Sequence, residues 1–117
     1  MEIVSFEIAK KLKEKGFREK VNAYYGKREN IFNVHPALDM NDAGYRASAP
    51  TISQVLKWLR EKDIMVEIPV DLGDNGVWQF TFRIQTKEFY ERATKCDYAS
   101  YESAALSCIE YVIDNLI

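Results

Sequence analysis

The chain of 117 residues is 47% hydrophobic, 29% charged and 13% aromatic, and its formal net charge at pH 7 is −2. This length fits one globular domain and is too short for two, and the aromatic content argues against a disordered chain. The small negative charge removes the general electrostatic argument for nucleic-acid binding, and no hydrophobic run approaches the roughly 20 residues that span a bilayer.

The N-terminal segment and the cysteines favour a cytoplasmic protein. The second residue is Glu2, and no basic segment of the kind that begins a secretory signal precedes the first apolar residues. Cys96 and Cys108 are too few for a disulfide framework and are predicted to be free thiols, with Cys108 buried in a helix. Because His35 is the single histidine, neither cysteine has a partner for a zinc site, and we expect no metal and no cofactor.

Charge is distributed unevenly along the chain. Residues 1–28 contain eight Lys or Arg against four Glu, whereas residues 97–117 contain four acidic residues and no basic one. The basic start and the acidic end can pair across the fold or lie on solvated helix faces. The alternative is a basic patch that faces a partner.

The first predicted helix covers residues 5–15. Ser5 can cap its start, Gly16 can adopt the left-handed conformation that ends it, and Ile8 and Leu12 form its buried stripe. After it the periodicity is lost. Short apolar runs predict a hairpin or irregular edge strands near residues 23–34, and residues 35–44 are predicted to form a loop.

The second predicted helix covers residues 51–62. Thr51 and Gln54 fit a capping box, in which each side chain binds a free backbone N–H at the helix start. Trp58 lies off the centre of the apolar stripe, at a boundary or an exposed position. The stripe has helical spacing and consists of Ile52, Val55, Leu56 and Leu59.

A hairpin is predicted over residues 64–86, with a turn that contains two glycines. Trp78, Phe80 and Phe82 alternate with polar residues, and we expect this aromatic face to pack on the helices rather than to stack on nucleic-acid bases. Pro69 cannot donate a ladder hydrogen bond, so its strand is predicted to lie at an edge. The opposite face, with Thr81 and Arg83, is predicted to be exposed.

The third predicted helix covers residues 100–116, with Ser100 as its N-cap. The order of elements predicts an α+β domain over residues 1–117. In this prediction three helices pack on one face of a small antiparallel sheet, which consists of the hairpin at 64–86 and short strands near 23–34.

Three stretches of the chain share motifs and order with a known group of proteins. They are residues 6–17, which contain Phe6-Glu7-Ile8-Ala9-Lys10, residues 48–60 with Ser-Ala-Pro-Thr and Lys-Trp-Leu-Arg, and residues 101–109 with Tyr-Glu-Ser-Ala. In these stretches the chain resembles a family of small uncharacterised proteins from bacterial prophages and integrated elements. Because that family has no assigned activity, the resemblance implies a mobile genetic element as the setting and transfers no functional residue.

Two loops contain residues typical of metal sites but lack the required spacing. Asp39 and Asp42 follow His35 in the sequence without a fixed geometry, and no second motif completes a site. The loop that begins at Asp71 has Phe82 at the twelfth position, where a calcium loop requires glutamate. We therefore predict no catalytic residue and no metal ligand.

The function predicted from the sequence is a non-enzymatic, phage-like accessory protein that binds a protein partner or itself. Its candidate partner surface combines aromatic and arginine side chains with the polar hairpin face, and consists of Tyr24, Tyr25, Tyr45, Arg46, Trp58, Thr81 and Arg83. The alternative is a nucleic-acid-associated protein whose basic N-terminal region contacts phosphates through Lys10, Lys11, Lys13, Lys15, Arg18, Lys20, Lys27 and Arg28. An enzyme ranks third, because no nucleophile, base and oxyanion donor can be assembled from the sequence.

Overall fold

The computed structural model describes residues 2–42, 44–88, 90–92 and 98–117. These residues form the predicted α+β fold. The helices are α1 (Phe6–Glu14), α2 (Ile52–Glu61) and α3 (Tyr101–Asn115). The strands are β1 (Val21–Tyr25), β2 (Ile31–Leu38), β3 (Ala47–Ser48), β4 (Met65–Glu67), β5 (Val70–Leu72), β6 (Trp78–Phe80), β7 (Arg83–Gln85) and β8 (Tyr90–Arg92).

All three helices begin at the residues that the sequence predicts. The Ser5 hydroxyl accepts a hydrogen bond from the third residue of α1, and the Ser100 hydroxyl does the same in α3. Thr51 and Gln54 form the complete capping box, with the two backbone-to-side-chain bonds at 2.8 and 3.2 Å. These caps satisfy backbone N–H groups that the first turn of a helix leaves free.

The first sheet has the strand order β2-β1-β3 and is antiparallel. Strand β2 continues through a cis His35–Pro36 peptide to Leu38, so the loop predicted for residues 35–44 begins later than expected. Proline is tolerated there because β2 is an edge strand whose outer side needs no donor. The hairpin strands pair with neither edge of this sheet, so the predicted single sheet is divided into separate small sheets.

The hairpin predicted over residues 64–86 is confirmed, and it consists of two paired segments that share one register. Strands β4 and β7 pair with Val66 opposite Ile84, and β5 and β6 pair with Leu72 opposite Trp78. Each step along one strand is matched by one step back along the other, and the Thr81 N–H donates to the Pro69 carbonyl across the gap between the two paired segments. One face therefore keeps the same alternation from the base of the hairpin to its turn.

The core is one cluster to which all three helices, the β2-β1-β3 sheet and the base of the hairpin contribute. Helix α3 is buried along Cys108, Ile109 and Val112, as predicted for its apolar face. The basic start of the chain pairs with its acidic end, because the Lys11 ammonium lies 3.2 Å from Glu110 and 3.1 Å from Asp114. Within the described ranges, no helix is long and apolar enough to cross a membrane.

Candidate binding surfaces

Three residues of the predicted partner surface meet at an open cleft beside the β1–β2 turn. Tyr24 stacks on Phe32 across the two strands, with ring centroids 5.3 Å apart and an angle of 24° between the planes. The Arg46 guanidinium lies over the Tyr24 ring at 5.9 Å from its centroid. Tyr45 is 68% exposed at the edge of the same cleft. The structure thus brings Tyr24 together with the adjacent residues Tyr45 and Arg46, although Tyr45 follows Tyr24 by 21 residues in the sequence.

The β1–β2 turn fits closely around the aromatic pair. A Cβ atom at Gly26 would lie 2.7 Å from the Phe32 ring and 2.9 Å from the Asn30 side-chain oxygen, so only glycine fits without a shift of Phe32. The turn carries Lys27 and Arg28, and both line the cleft. Two cations of the predicted nucleic-acid surface therefore lie beside three residues of the predicted protein surface.

Helix α1 contacts the segment that carries Tyr45. The Lys13 ammonium donates to the carbonyl oxygens of Gly44 and Arg46, both at 2.6 Å, and this fixes the segment that carries Tyr45. Tyr45 also lines a second open cleft, together with Phe6, Lys10, Lys13, Glu14 and Ala47. Because Tyr45 belongs to both clefts, they form one surface, which we call the basic–aromatic groove.

Three residues predicted for the partner surface are buried and contribute little exposed area. The Tyr25 ring packs edge-on against Phe6, and its hydroxyl donates to the Val4 carbonyl at 2.6 Å. Trp58 packs edge-on against Phe17, which reaches it from outside the helix. Thr81 is 6% exposed, so the prediction that the polar hairpin face is exposed is wrong at this residue.

Arg83, the remaining residue of the predicted partner surface, is half-buried. Among the described residues its Nε atom has no hydrogen-bond partner. Arg83 lies opposite Glu67 on the hairpin and belongs to neither cleft of the groove.

The eight cations predicted to contact nucleic acid are distributed over several surfaces. Lys11 pairs with acidic residues of α3, and its hydrogen bonds to Asp114 and Glu110 raise its pKa. Lys15 donates to the Ile117 carbonyl, and Arg18 pairs with Asp39 at 2.6 Å. Lys20 lines a separate cleft beside α2. Lys10, Lys13, Lys27 and Arg28 line the basic–aromatic groove.

The apolar face of the hairpin leaves the core before it reaches the turn. Phe82 and Ile84 are buried, whereas Leu72 and Trp78 are 59% and 60% exposed. We call residues 70–80 the apolar arm; Val70, Leu72, Trp78 and the half-buried Phe80 occupy one of its faces.

The sequence contains a signal for this arm that the aromatic pattern alone does not give. A strand over residues 64–72 is about 30 Å long at 3.3 Å per residue, whereas a helix over residues 51–62 is about 18 Å long at 1.5 Å per residue. A helix of that length cannot cover the whole face of the hairpin. The excess predicts that residues near the turn are exposed.

The described residues contain no group of three His, Cys, Asp or Glu side chains that could hold a metal ion. Burial raises the pKa of the Cys108 thiol to about 12, so at neutral pH the thiolate that acts as a nucleophile is not formed. Cys96 lies outside the described residues.

No protein-family model matches this chain. The search of curated proteins found no match. No solved structure matches it either.

Proposed function

We propose that this chain is a non-enzymatic protein-binding module and that the apolar arm is its docking surface. The proposal includes the setting that the sequence resemblance implies, a phage-like mobile element in the cytoplasm of a bacterium. The observation that supports the docking role is the exposure of Leu72 and Trp78 on one continuous face.

The arm has the composition of an interface centre. Its apolar residues are adjacent across the two strands, since Leu72 faces Trp78 and Val70 faces Phe80. Contiguous exposed apolar area of this kind marks interaction sites on soluble proteins, and tryptophan is enriched among the residues that contribute most binding energy. The arm replaces the polar hairpin face of the sequence prediction, because Thr81 on that face is buried.

The charges around the arm indicate the chemistry of the partner. Residues 65–80 contain Glu67, Asp71 and Asp74 and no Lys or Arg. Glu67 and Asp71 lie on the face opposite Leu72 and Trp78, and Asp74 lies in the turn. The arm as a whole is therefore acidic, which favours a partner with basic side chains beside its apolar contact.

Photo-crosslinking from two adjacent positions tests the proposal. A photoreactive phenylalanine derivative is introduced at position 72, on the apolar face, and separately at position 71, on the opposite face. Both proteins are irradiated in a lysate of the cells from which the chain comes, and the adducts are identified by mass spectrometry. We expect a defined protein adduct from position 72 and none from position 71.

Two further results decide the outcome. An adduct of twice the chain's mass identifies a second copy as the partner, which sedimentation of the purified protein then checks, and any other adduct identifies a different protein. Equal adducts from both positions, or none from either, contradict a docking role for the apolar face.

A further inference from the structure

We propose that the basic–aromatic groove binds single-stranded nucleic acid. This inference is independent of the protein-docking role of the arm, because the groove is formed by β1, β2, α1 and the segment before β3. The proposed site is this groove, which contains only part of the basic N-terminal region that the sequence suggests as a nucleic-acid surface.

The groove concentrates positive charge on a chain whose net charge is −2. Its lining contains one acidic residue, Glu14, and five basic ones, which are Lys10, Lys13, Lys27, Arg28 and Arg46. Within the described ranges neither Lys27 nor Arg28 forms an ion pair. Both are exposed at the turn and free to contact phosphates.

Two other cations of the groove form ion pairs, and both pairs are weak enough for a phosphate to replace the carboxylate. Lys10 lies 3.4 Å from Glu7 and Arg46 lies 3.6 Å from Asp42, both on the protein surface. Exposed pairs of this kind contribute at most about 1 kcal/mol, so a phosphate can replace either carboxylate at little cost.

Aromatic rings lie between these cations. Phe32 and Tyr45 are exposed large aromatic residues, and the Tyr24 ring stacks on Phe32 from the neighbouring strand. Exposed aromatic faces within a basic groove are the arrangement on which successive unpaired bases stack. The Lys13 ammonium donates to the carbonyl oxygens of the residues on both sides of Tyr45, and the Phe32 ring packs closely against Gly26.

The shape of the groove favours a single strand over the other anions. A small phosphate compound needs an enclosed pocket, whereas both clefts are open and joined at Tyr45. A duplex presents its phosphates but keeps its base faces stacked inside. A single strand alone offers repeated negative charges together with exposed planar bases.

Fluorescence anisotropy with a labelled oligothymidylate of about 15 nucleotides tests the inference. We expect binding at low salt that weakens as salt rises, because phosphate contacts release counterions. The double variant Lys27→Ala/Arg28→Ala should lower the affinity and reduce the slope of log affinity against log salt by about 1.4. Tyr45→Ala should lower affinity about fivefold or more, because one stacking contact is lost, and leave the slope unchanged.

A matched control separates the groove from general charge. The double variant Lys20→Ala/Lys57→Ala also removes two positive charges, but from the cleft beside α2, and it should leave the affinity unchanged. Circular dichroism melting of each variant checks that it is folded. Duplex DNA of the same sequence length and polyphosphate serve as competitors, and both should compete poorly.

Four outcomes would overturn the inference. They are no binding at low salt, equal losses in the two double variants, equal competition by polyphosphate, and an unchanged affinity in Tyr45→Ala. Equal competition by polyphosphate would mean that the groove binds anions in general. If the oligonucleotide did not bind and the Lys27→Ala/Arg28→Ala variant lost self-association, the groove would instead bind the acidic arm of a second copy.

Discussion

At the scale of single residues, side chains of one type have different roles that the sequence does not distinguish. Trp58 and Trp78 both belong to amphipathic elements, α2 and β6. Phe17 covers Trp58, whereas nothing in the described structure covers Trp78. Tyr24 and Tyr25 are neighbours, and β-strand alternation buries Tyr25 while Tyr24 lines the groove. Alternation predicts that they differ, but the tertiary contacts decide which of them is buried.

Cys108 gives a testable consequence of burial for the pH dependence of stability. Burial raises its pKa to about 12 from a usual value of 9.0, so the folded chain holds the thiol proton more tightly than the unfolded chain. This contribution to stability is fully present below pH 9 and is lost as the pH rises toward 12, at up to about 1.4 kcal/mol per pH unit. We expect the free energy of unfolding of Cys108→Ala to fall less steeply over this range than that of the parent.

Urea unfolding of both proteins at pH 8 and pH 10.5 measures the difference, which should reach about 2 kcal/mol. Burial also raises the pKa of Tyr25, but Tyr25 is present in both proteins and cancels in the comparison. A parallel loss of stability in the two proteins would show that Cys108 ionises as easily in the folded chain as in the unfolded one.

At the scale of elements, the helix starts were predictable because their cause is local. Ser5, Thr51 and Ser100 each bind backbone groups within three residues, so the sequence contains all the participants. The extension of β2 to Leu38 was not predictable, because it depends on which strand lies opposite. The same reason applies to the burial of Thr81.

The gradient of burial along the hairpin predicts two different mutational costs. Phe82 is buried and contacts Tyr98 and Tyr111, with ring centroids 6.1 and 6.3 Å apart. Phe82→Ala should therefore destabilise the fold by about 3–5 kcal/mol. Trp78→Ala removes an exposed ring from the same face and should cost less than about 1 kcal/mol.

Urea denaturation followed by circular dichroism gives both values without relying on tryptophan emission. A cost for Trp78→Ala as large as that for Phe82→Ala would mean that the arm is packed against the domain, which would also remove the basis for the docking proposal.

At the scale of the whole molecule, the chain is elongated, with extents of 47 × 33 × 22 Å and a radius of gyration of 15.1 Å. A compact domain of this length is expected to have a radius of gyration of about 13.4 Å. The arm and the basic–aromatic groove belong to different sheets of this elongated molecule. Two separate surfaces are available for two ligands.

We therefore expect variants of the two surfaces to act independently. Trp78→Asp should abolish the position-72 adduct and change oligonucleotide affinity by less than about twofold, because sites without shared partners are nearly additive. Lys27→Ala/Arg28→Ala should weaken oligonucleotide binding and leave the position-72 adduct intact. Anisotropy and crosslinking on both variants provide the measurement, and a variant that lowers both activities would show that the ligands share one site.

The sequence predicted the class of the fold and several residues of the basic–aromatic groove, but it wrongly placed the aromatic face of the arm against the helices, since Trp78 is exposed. Tyr24, Tyr45, Arg46, Lys27 and Arg28 were recognised separately, as residue types suited to interfaces or phosphates. Their meeting at one groove depends on the pairing of β1 with both β2 and β3 and on the Lys13 hydrogen bonds, which join residues about 30 positions apart. No local pattern contains that information.

The unbroken register of the hairpin limits how its length can vary between related chains. Removing one residue from each strand would turn Leu72 and Trp78 to the opposite face, because side chains alternate along both strands. Only a change of two residues per strand keeps them on the apolar side, and it moves the turn by about 6.6 Å. Relatives with a longer or shorter arm should therefore differ by four residues or a multiple of four, and their reach toward a partner should change in steps of that size.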